Sequence, residues 1–510
     1  MKKITLLSIF LISILTAGFS QKSKADKYFR LQNFNFALDE YLELLDEEED
    51  DLEYNYRAAV CYLNVNGDKA QAIPYLEKVV AAENTNPDAV YLLGRAYQFG
   101  YKFDEAIKQF NVYKQTGKGS YYNLEDVDRQ IEHCQNAKQL MKTPVDVSFF
   151  NLGEEINSSF DDYYPFVPKD ESFVIFNSRR RDNSVQQDNG LFFTNTFISK
   201  VVDGDYQKAS LTFDINDPKL DNEVVGMNAD GTKIVFYNNN YRGISDLRLA
   251  DFSREGRASN ITKLGETINS KYTEISGALS EDGKKFFFAS DREGGYGGTD
   301  LYLCQKLPNG EWSEAMNLGP TINTVYDEDF PNLYDNGKVL YFSSRGHSSM
   351  GGYDIFKAKW DEGEKQYAAV ENLGYPINTP EDNMNFRLSD NGKFGYMAAV
   401  REDSYGGLDI YRVNFNDIES KYTVIRGEII NKSENKPQNI FITVYDENGD
   451  VYGDYKPNME SMKYVIILPA GNYTMEVESP GYKLIEETIA VKDKVSYKPE
   501  VVSDIVLTKN

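Results

Sequence analysis

Leu318-Gly319-Pro320-Thr321-Ile322-Asn323 has close copies elsewhere in the chain: Leu264-Gly265-Glu266-Thr267-Ile268-Asn269, Leu373-Gly374-Tyr375-Pro376-Ile377-Asn378 and Leu152-Gly153-Glu154-Glu155-Ile156-Asn157. Residues 264, 318 and 373 are 54 and 55 positions apart, and 152 precedes 264 by two such steps. A degenerate copy fills the gap, Leu211-Thr212-Phe213-Asp214-Ile215-Asn216. A fixed period of this length marks a repeat architecture, in which each unit buries its apolar face against the next.

Every unit has the same grammar. A first strand ends in a turn, Asp230-Gly231, Asp282-Gly283, Asn336-Gly337 or Asn391-Gly392, with Lys169-Asp170-Glu171 in the first unit. Asp-Gly and Asn-Gly predict two-residue hairpins. An apolar strand follows, such as Lys285-Phe286-Phe287-Phe288-Ala289, and then a glycine-rich loop, as in Asp291 to Gly298. A third strand opens on an acid, in Asp300-Leu301-Tyr302, Asp354-Ile355-Phe356 and Asp409-Ile410-Tyr411. A fourth leads to the next Leu-Gly. Four antiparallel strands repeated radially predict a five-bladed β-propeller over residues 144–418. The last unit lacks a fourth strand, and Val145 to Phe150 precedes the first motif without three strands before it. The early strand is expected to complete the last blade.

Ser290-Asp291-Arg292, Ser343-Ser344-Arg345, the Gly-Gly pairs and the Asp-apolar-aromatic triplets resemble the TolB-type, WD40-like repeats of periplasmic bacterial proteins. The second unit departs most, with Tyr237-Asn238-Asn239-Asn240 in place of Ser-Xaa-Arg.

Residues 21–143 show helical periodicity. Leu93, Gly94 and Tyr97 share one face, and Phe103, Ala106, Phe110 and Tyr113 share the next. The offsets match the tetratricopeptide pattern. Weaker copies are Ala25, Tyr28, Phe34, Ala37, Tyr41 and Leu44, then Ala59, Tyr62, Ala72, Leu76 and Val79. A further helix over 123–142 is expected to cap the solenoid. The acidic run Asp46 to Asp51 reads as a solvated loop. Residues 419–510 alternate apolar and polar between turns, which predicts a β-sandwich of about seven strands. Leu468-Pro469-Ala470-Gly471-Asn472-Tyr473 and Ser479-Pro480-Gly481-Tyr482 resemble the carboxypeptidase regulatory-like domain, a transthyretin-like module that is generally non-catalytic.

The chain has 510 residues, 14% of them aromatic, and a formal charge of −25. Such a charge repels phosphates and argues against nucleic acid as partner. Met1-Lys2-Lys3, an apolar run from Ile4 to Leu15 and small residues up to Ser20 predict a signal peptide over 1–20, with no cysteine near the cut for a lipid anchor. Cys61, Cys134 and Cys304 are too few and too scattered for a disulfide framework and read as buried apolar residues.

The candidates for chemistry are few. Gly346-His347-Ser348-Ser349-Met350-Gly351 has a lipase-like sound, but Met350 stands where the nucleophile elbow needs glycine. With only His133 and His347 in the chain, a Ser–His hydrolase is not expected and no enzyme activity is assigned. Two histidines and three dispersed cysteines predict no zinc site, and no cofactor is expected. Asp446-Glu447-Asn448-Gly449-Asp450 opens like a calcium loop, but Pro457 stands where glutamate is required, so it reads as a hairpin turn. One pattern remains. Five residues after the motif asparagine stand Asp162, Asp221, Glu274 and Glu328, with Asn383 beside Asp382 in the fifth unit. Lying ahead of the innermost strands, they would ring one mouth of the channel. Either each carboxylate accepts local N–H groups and shapes its own blade, or together they form an acidic rim for a cation or a basic segment.

The domain order resembles the PorE-like, OmpA-family multidomain periplasmic proteins of Bacteroidetes. The resemblance implies a scaffold or adaptor of the outer membrane, linked to type IX secretion and gliding motility, with envelope proteins as partners. In that family a C-terminal OmpA-like domain grips peptidoglycan. Here Asn510 follows directly on the sandwich, so direct binding of peptidoglycan is not expected. The alternative is a carbohydrate- or peptide-binding periplasmic protein that uses the propeller mouth.

Overall fold

The computed structural model describes residues 21–83, 86–116, 124–182, 184–239, 246–390, 392–416, 423–431, 437, 439–469, 471–491 and 500–510. The signal-peptide expectation lies outside them, as do Asn391, Ala470 and Asn240. The chain divides into two compact units, Met1–Val202 with Tyr206–Val413, and Asp203–Asp205 with Asn414–Asn510.

The first unit opens with seven helices among the described residues: α1 over 21–30, α2 Phe34–Glu47, α3 Leu52–Asn64, α4 Ala72–Ala81, α5 Pro87–Phe99, α6 Phe103–Thr116 and α7 Leu124–Leu140. Their starts are set by side chains. Asn33, Asp51 and Asn86 each accept a hydrogen bond from a first-turn N–H, and Pro87 follows the last of these. Asp51 closes the acidic run, in which Glu49 and Asp50 are exposed and paired with Lys78. The small and aromatic positions predicted to meet do so: Ala25, Ala37 and Tyr41 share a core with Cys61, while Leu76, Leu93 and Phe110 share another with Cys134. All three cysteines are buried and unbonded.

Five antiparallel sheets follow among the described residues. Sheet one comprises Asp162–Phe166, Phe173–Ser178 and Asn195–Val202 with two short outer strands. Sheet two runs Asp221–Met227, Lys233–Asn239, Arg248–Phe252, Ala258–Lys263, and sheet three Glu274–Leu279, Lys285–Ser290, Asp300–Gln305, Met316–Asn317. Sheet four is Glu328–Tyr334, Val339–Ser344, Asp354–Asp361 and Gln366–Asn372. Sheet five takes Arg387–Leu388, Phe394–Ala399 and Asp409–Phe415 from the end of the unit and Val147–Asn151 from its beginning. Sheets one to four touch in turn through their inner strands, and Asp162–Phe166 of sheet one packs on Phe394–Ala399 of sheet five. Asn332 of sheet four bonds Asn385 and Arg387 of sheet five, so the five close on themselves around a channel.

The turns differ from the expected two-residue hairpins. In sheets two and three the closing bonds are Asn228 N to Lys233 O and Ser280 N to Lys285 O, which leaves four residues in each loop. Asp230 and Asp282 do not take positive φ. Their carboxylates accept the N–H two residues on, at 3.0 Å, and only Gly231 and Gly283 are left-handed. An Asx-turn thus replaces the tighter geometry. In sheet one Glu171 (φ 50°) takes the glycine's place. Two inner strands bulge at a left-handed residue, Tyr164 and Phe330. Both precede a proline, which interrupts the ladder.

The second unit has two sheets on one core of Ile425, Ile442, Val444, Ile466, Met475 and Ile505. One sheet orders Lys463–Leu468, Thr423–Asn431 and Glu500–Val502, with Ile505–Leu507 also on Thr423–Asn431, and the other Val451–Tyr455, Phe441–Tyr445, Gly471–Glu478 and Ile485–Val491. Among the described residues that is eight strands, where about seven were expected. The last segment breaks at Ser503-Asp504, and both of its pieces pair parallel to Thr423–Asn431. Asp446 to Asp450 is the hairpin turn expected of it, with Asp446 N bonded to Asp450 O.

Candidate functional site

The repeated asparagine acts as a surrogate peptide group. In sheet three Leu301 N donates to Asn323 Oδ1 (2.8 Å) and Asn323 Nδ2 donates to Leu301 O (2.9 Å). Asn378 holds Ile355 in the same way, Asn157 holds Ile410, Asn269 holds Leu247 and Asn216 holds Thr196. The motif isoleucine is buried in each copy. The motif therefore clamps the turn after the fourth strand to the head of the third.

The acidic positions sit at the start of the inner strands, and three have carboxylates engaged by their own loops. Asp162 accepts from Ser158 N (2.6 Å), Ser158 Oγ (2.8 Å) and Arg180 (2.5 Å). Glu274 accepts from Ser270 N, Ser270 Oγ, Ser290 Oγ and Arg292. Glu328 accepts from Thr324 N, Thr324 Oγ1 and Ser344 Oγ. All three are buried. Burial without a cation lifts the Glu328 carboxyl to about 7. In sheet five Asn383 fills the slot and accepts from Thr379 N.

Two assignments made by counting residues are out of register. In sheet two the slot belongs to Asn222, which accepts from Asp217 N (3.0 Å) and pairs with Asn238 as Glu274 pairs with Ser290. One extra residue between motif and strand displaces Asp221. In sheet four Ser344, not Ser343, is the partner of Glu328, so Arg345 is not the counterpart of Arg292. His347 takes that role: its Nε2 bonds Ile322 O (2.8 Å), where Arg292 and Arg180 donate to Ile268 O and Ile156 O.

Asp221 belongs to a second series with Asp161, Asp327 and Asp382. Each accepts an N–H from the preceding sheet: Thr194 N, Leu408 N, Thr299 N and Tyr353 N. This seam explains the paired glycines. A Cβ on Gly298, Gly352 or Gly407 would stand 2.2, 1.9 or 2.2 Å from the Asp327, Asp382 or Asp161 carboxylate. One on Gly297, Gly351 or Gly406 would meet the neighbouring sheet's backbone. Sequence spacing pointed to the acids; the staple series was legible only as the residue before them.

The helices lie over the motif side of sheets four and five. Arg129 of α7 donates through Nε to Arg345 O (3.1 Å) and stacks on Tyr326. Asn136 donates to Ser349 O (3.0 Å), and Met350 is buried in the same apolar cluster as α5 and α6. The lipase-like stretch is thus a glycine-rich loop that seats the helical domain. Ser349 Oγ donates to Ser344 O and Gly346 O, and among the described residues neither histidine is hydrogen-bonded to a serine hydroxyl. Asn66 reaches Asp161 (2.8 Å), and Lys69 pairs with Glu381.

Between helices and sheets lies a cavity of about 420 Å³, opening into a groove of about 790 Å³ along Tyr101, Tyr375 and Glu402. Phe149, Tyr163 and Tyr164 form its aromatic wall, and Asp161, Arg179, Glu223, Glu381, Asp382 and Arg401 its charged positions. Glu223 is fixed by two phenols, Tyr163 (2.8 Å) and Tyr237 (2.6 Å), whose burial pushes their own ionisation well above the ordinary range. Asp382 is the acidic candidate most exposed to solvent, its side chain 52% exposed and 3.7 Å from Arg345, while its Oδ1 also takes Tyr353 N. Among the described residues no group of three or more His, Cys, Asp or Glu is placed to hold a metal ion, and no helix is long and apolar enough to cross a membrane.

A tetratricopeptide-repeat family model matches residues 53–82, the span of α3 and α4. That stretch is similar to a tetratricopeptide repeat. No curated protein matches the chain. Among solved structures, TolB from Acinetobacter baumannii is similar at 15% identity, covering 50% of this chain and 54% of its own, with a TM-score of 0.32. The chain thus spans about half the length of that TolB. The Pseudomonas aeruginosa periplasmic gluconolactonase PpgL is similar at 11% identity over 64% of this chain and 88% of its own, with a TM-score of 0.26. A glycoside hydrolase is similar at 10% identity over 55% and 94%, with a TM-score of 0.39.

Proposed function

We propose that this chain is a non-enzymatic periplasmic scaffold that binds outer-membrane components, of the kind that serve type IX secretion and gliding motility. In this reading residues 1–20 are a signal peptide, and 21–143 are a tetratricopeptide solenoid. Residues 144–418 are a five-bladed TolB/WD40-like propeller and 419–510 a carboxypeptidase regulatory-like sandwich. The observation that supports it is the cleft. A helical repeat, a module that commonly receives peptides, is fastened to one mouth of a ring of sheets, and the hollow between them is charged on several sides and aromatic on one. Among the acidic candidates Asp382 is the one we assign to partner contact, while Asp162, Asp221, Glu274 and Glu328 hold the ring that presents it. Cross-linking of the exported protein in cells, followed by mass spectrometry, tests the reading. Envelope proteins cross-linked to the cleft, and lost on Asp382→Asn, which keeps the acceptor for Tyr353 N, are expected. Cross-links confined to other faces would overturn it.

A second reading has one observation in its favour. The cavity has the size of a small-ligand pocket and combines Phe149, Tyr163 and Tyr164 with fixed carboxylates, a set suited to a sugar or short peptide. A ligand recovered from the purified protein by mass spectrometry, with no envelope protein attached, would favour it.

A further inference from the structure

The far end of the channel, on the side of the Asp-Gly turns, holds a cation with no counter-charge. Arg387 stands on the inner strand of sheet five and is 7% exposed. Its guanidinium donates to Val167 O (Nε, 3.3 Å), Asn332 Oδ1 (Nη1, 3.5 Å) and Asn228 O (Nη2, 3.2 Å). All three acceptors are neutral, and all three bonds are longer than the 2.7–2.9 Å or so of charge-assisted pairs. Three of five N–H donors are used, which leaves two. At the motif-side mouth, by contrast, Arg180 is paired with Asp162 and Arg292 with Glu274. Burial alone acts on Arg387, drawing its ionisation down to about 10 with no charged neighbour to offset it. A buried guanidinium in this state is costly unless something neutralises it.

The surroundings specify what that is. A cavity of about 40 Å³ adjoins Arg387, its apolar lining Val167, Met227, Ala278, Leu279 and Leu333 and its carboxylates Glu281, Asp335 and Asp390. Each of these carboxylates has a lysine: Lys169 lies 2.8 Å from Glu281 and 3.8 Å from Asp390, bridging the turns of sheets one, three and five, and Lys338 lies 3.3 Å from Asp335. The space admits a monatomic ion with a water or two. Apolar walls and a weakly hydrated guanidinium favour a soft monovalent anion over a strongly hydrated one.

We propose that the turn-side end of the channel is a binding site for a single halide-class anion, held by Arg387 beneath the Lys169 bridge. The ion supplies the missing counter-charge at the point where all five sheets converge. The test is thermal unfolding in sodium chloride against sodium gluconate at equal ionic strength, gluconate being too large for the cavity. Chloride is expected to raise the midpoint saturably by several degrees in the native chain and to have no such effect in Arg387→Met. Equal midpoints in the two salts overturn the proposal, as does a chloride effect that persists in Arg387→Met. Should that variant fail to fold, bromide-soaked crystals of the native protein decide. An anomalous peak within hydrogen-bonding distance of the Arg387 Nη atoms upholds the site, and its absence overturns it.

Discussion

Replacing Asn323 by alanine tests the clamp that the repeated motif builds. The side chain is 1% exposed and satisfies both backbone groups of Leu301. In the alanine variant Leu301 O keeps its bond from Leu318 N (3.0 Å), so losing that half costs about 0.5–1.5 kcal/mol. Leu301 N has no substitute, and a buried orphan donor costs about 1–3 kcal/mol. The sum is about 1.5–4.5 kcal/mol. Asn323→Asp should be worse at neutral pH, since its second oxygen would face Leu301 O and Asn317 Oδ1, which now lie 2.9 and 2.8 Å from Nδ2. That repulsion raises the folded-state ionisation of the new carboxyl. The excess penalty is therefore present above the raised value and disappears below the unfolded one, near ~3.9. The chain's two tryptophans, Trp312 and Trp360, belong to the cores of sheets three and four, on either side of Asn323. Guanidinium unfolding followed by their fluorescence reads the right part of the molecule. A loss under about 1 kcal/mol for Asn323→Ala would refute the reasoning, as would alanine and aspartate variants that unfold alike at both pH 7 and pH 4.

Glu328 and Asp329 are lifted to about 7 and Asp354 to about 8, chiefly by burial. Each binds its proton more tightly folded than unfolded, so its contribution is full below the unfolded value and is lost as pH rises through the folded one. The tryptophan-monitored midpoint should fall between pH 5 and 8, and Asp354→Asn should flatten that fall. Arg129→Ala removes the charged donor that holds the backbone of Arg345 and His347, at a cost of about 2–3 kcal/mol to docking. Hydrogen exchange should accelerate in α7 and at 345–350 while the sheet-three amides keep their protection. Gly427→Ala would place a Cβ 1.7 Å from Ser503 O, and the 500–507 pairing should loosen by about 1–3 kcal/mol, visible as faster exchange in Thr423–Asn431.

The ring was legible because its most repeated residues serve backbone geometry, which leaves the same letters in every unit. Asn323 and Gly298 cannot vary without breaking a bond or a seam, and so the period shows. Counting failed where one residue was inserted, as before Asp221, or where a different side chain reached the same carbonyl, as His347 does. The four-residue turns were missed because Asp-Gly serves both geometries and only the carboxylate's choice of N–H separates them. The cleft was invisible for another reason. Arg129, Asn136 and Lys69 make their contacts across hundreds of positions to carbonyls and one carboxylate, and nothing local in the sequence marks them.

The strand Val147–Asn151 closes sheet five from the chain's own beginning, only a few residues after α7 ends at Leu140. Val145 N is already bonded to Tyr375 O within that short link. The fastening of the ring is therefore also the tether of the helices. Once the docking contacts of Arg129, Asn136 and Lys69 gave way, a load carried by the helical repeats would run along that one strand, in shear across its hydrogen bonds to Asp409–Phe415. Covalent tension and ring closure share a single seam, so a pull that had already parted the helices from the sheets would next open the ring.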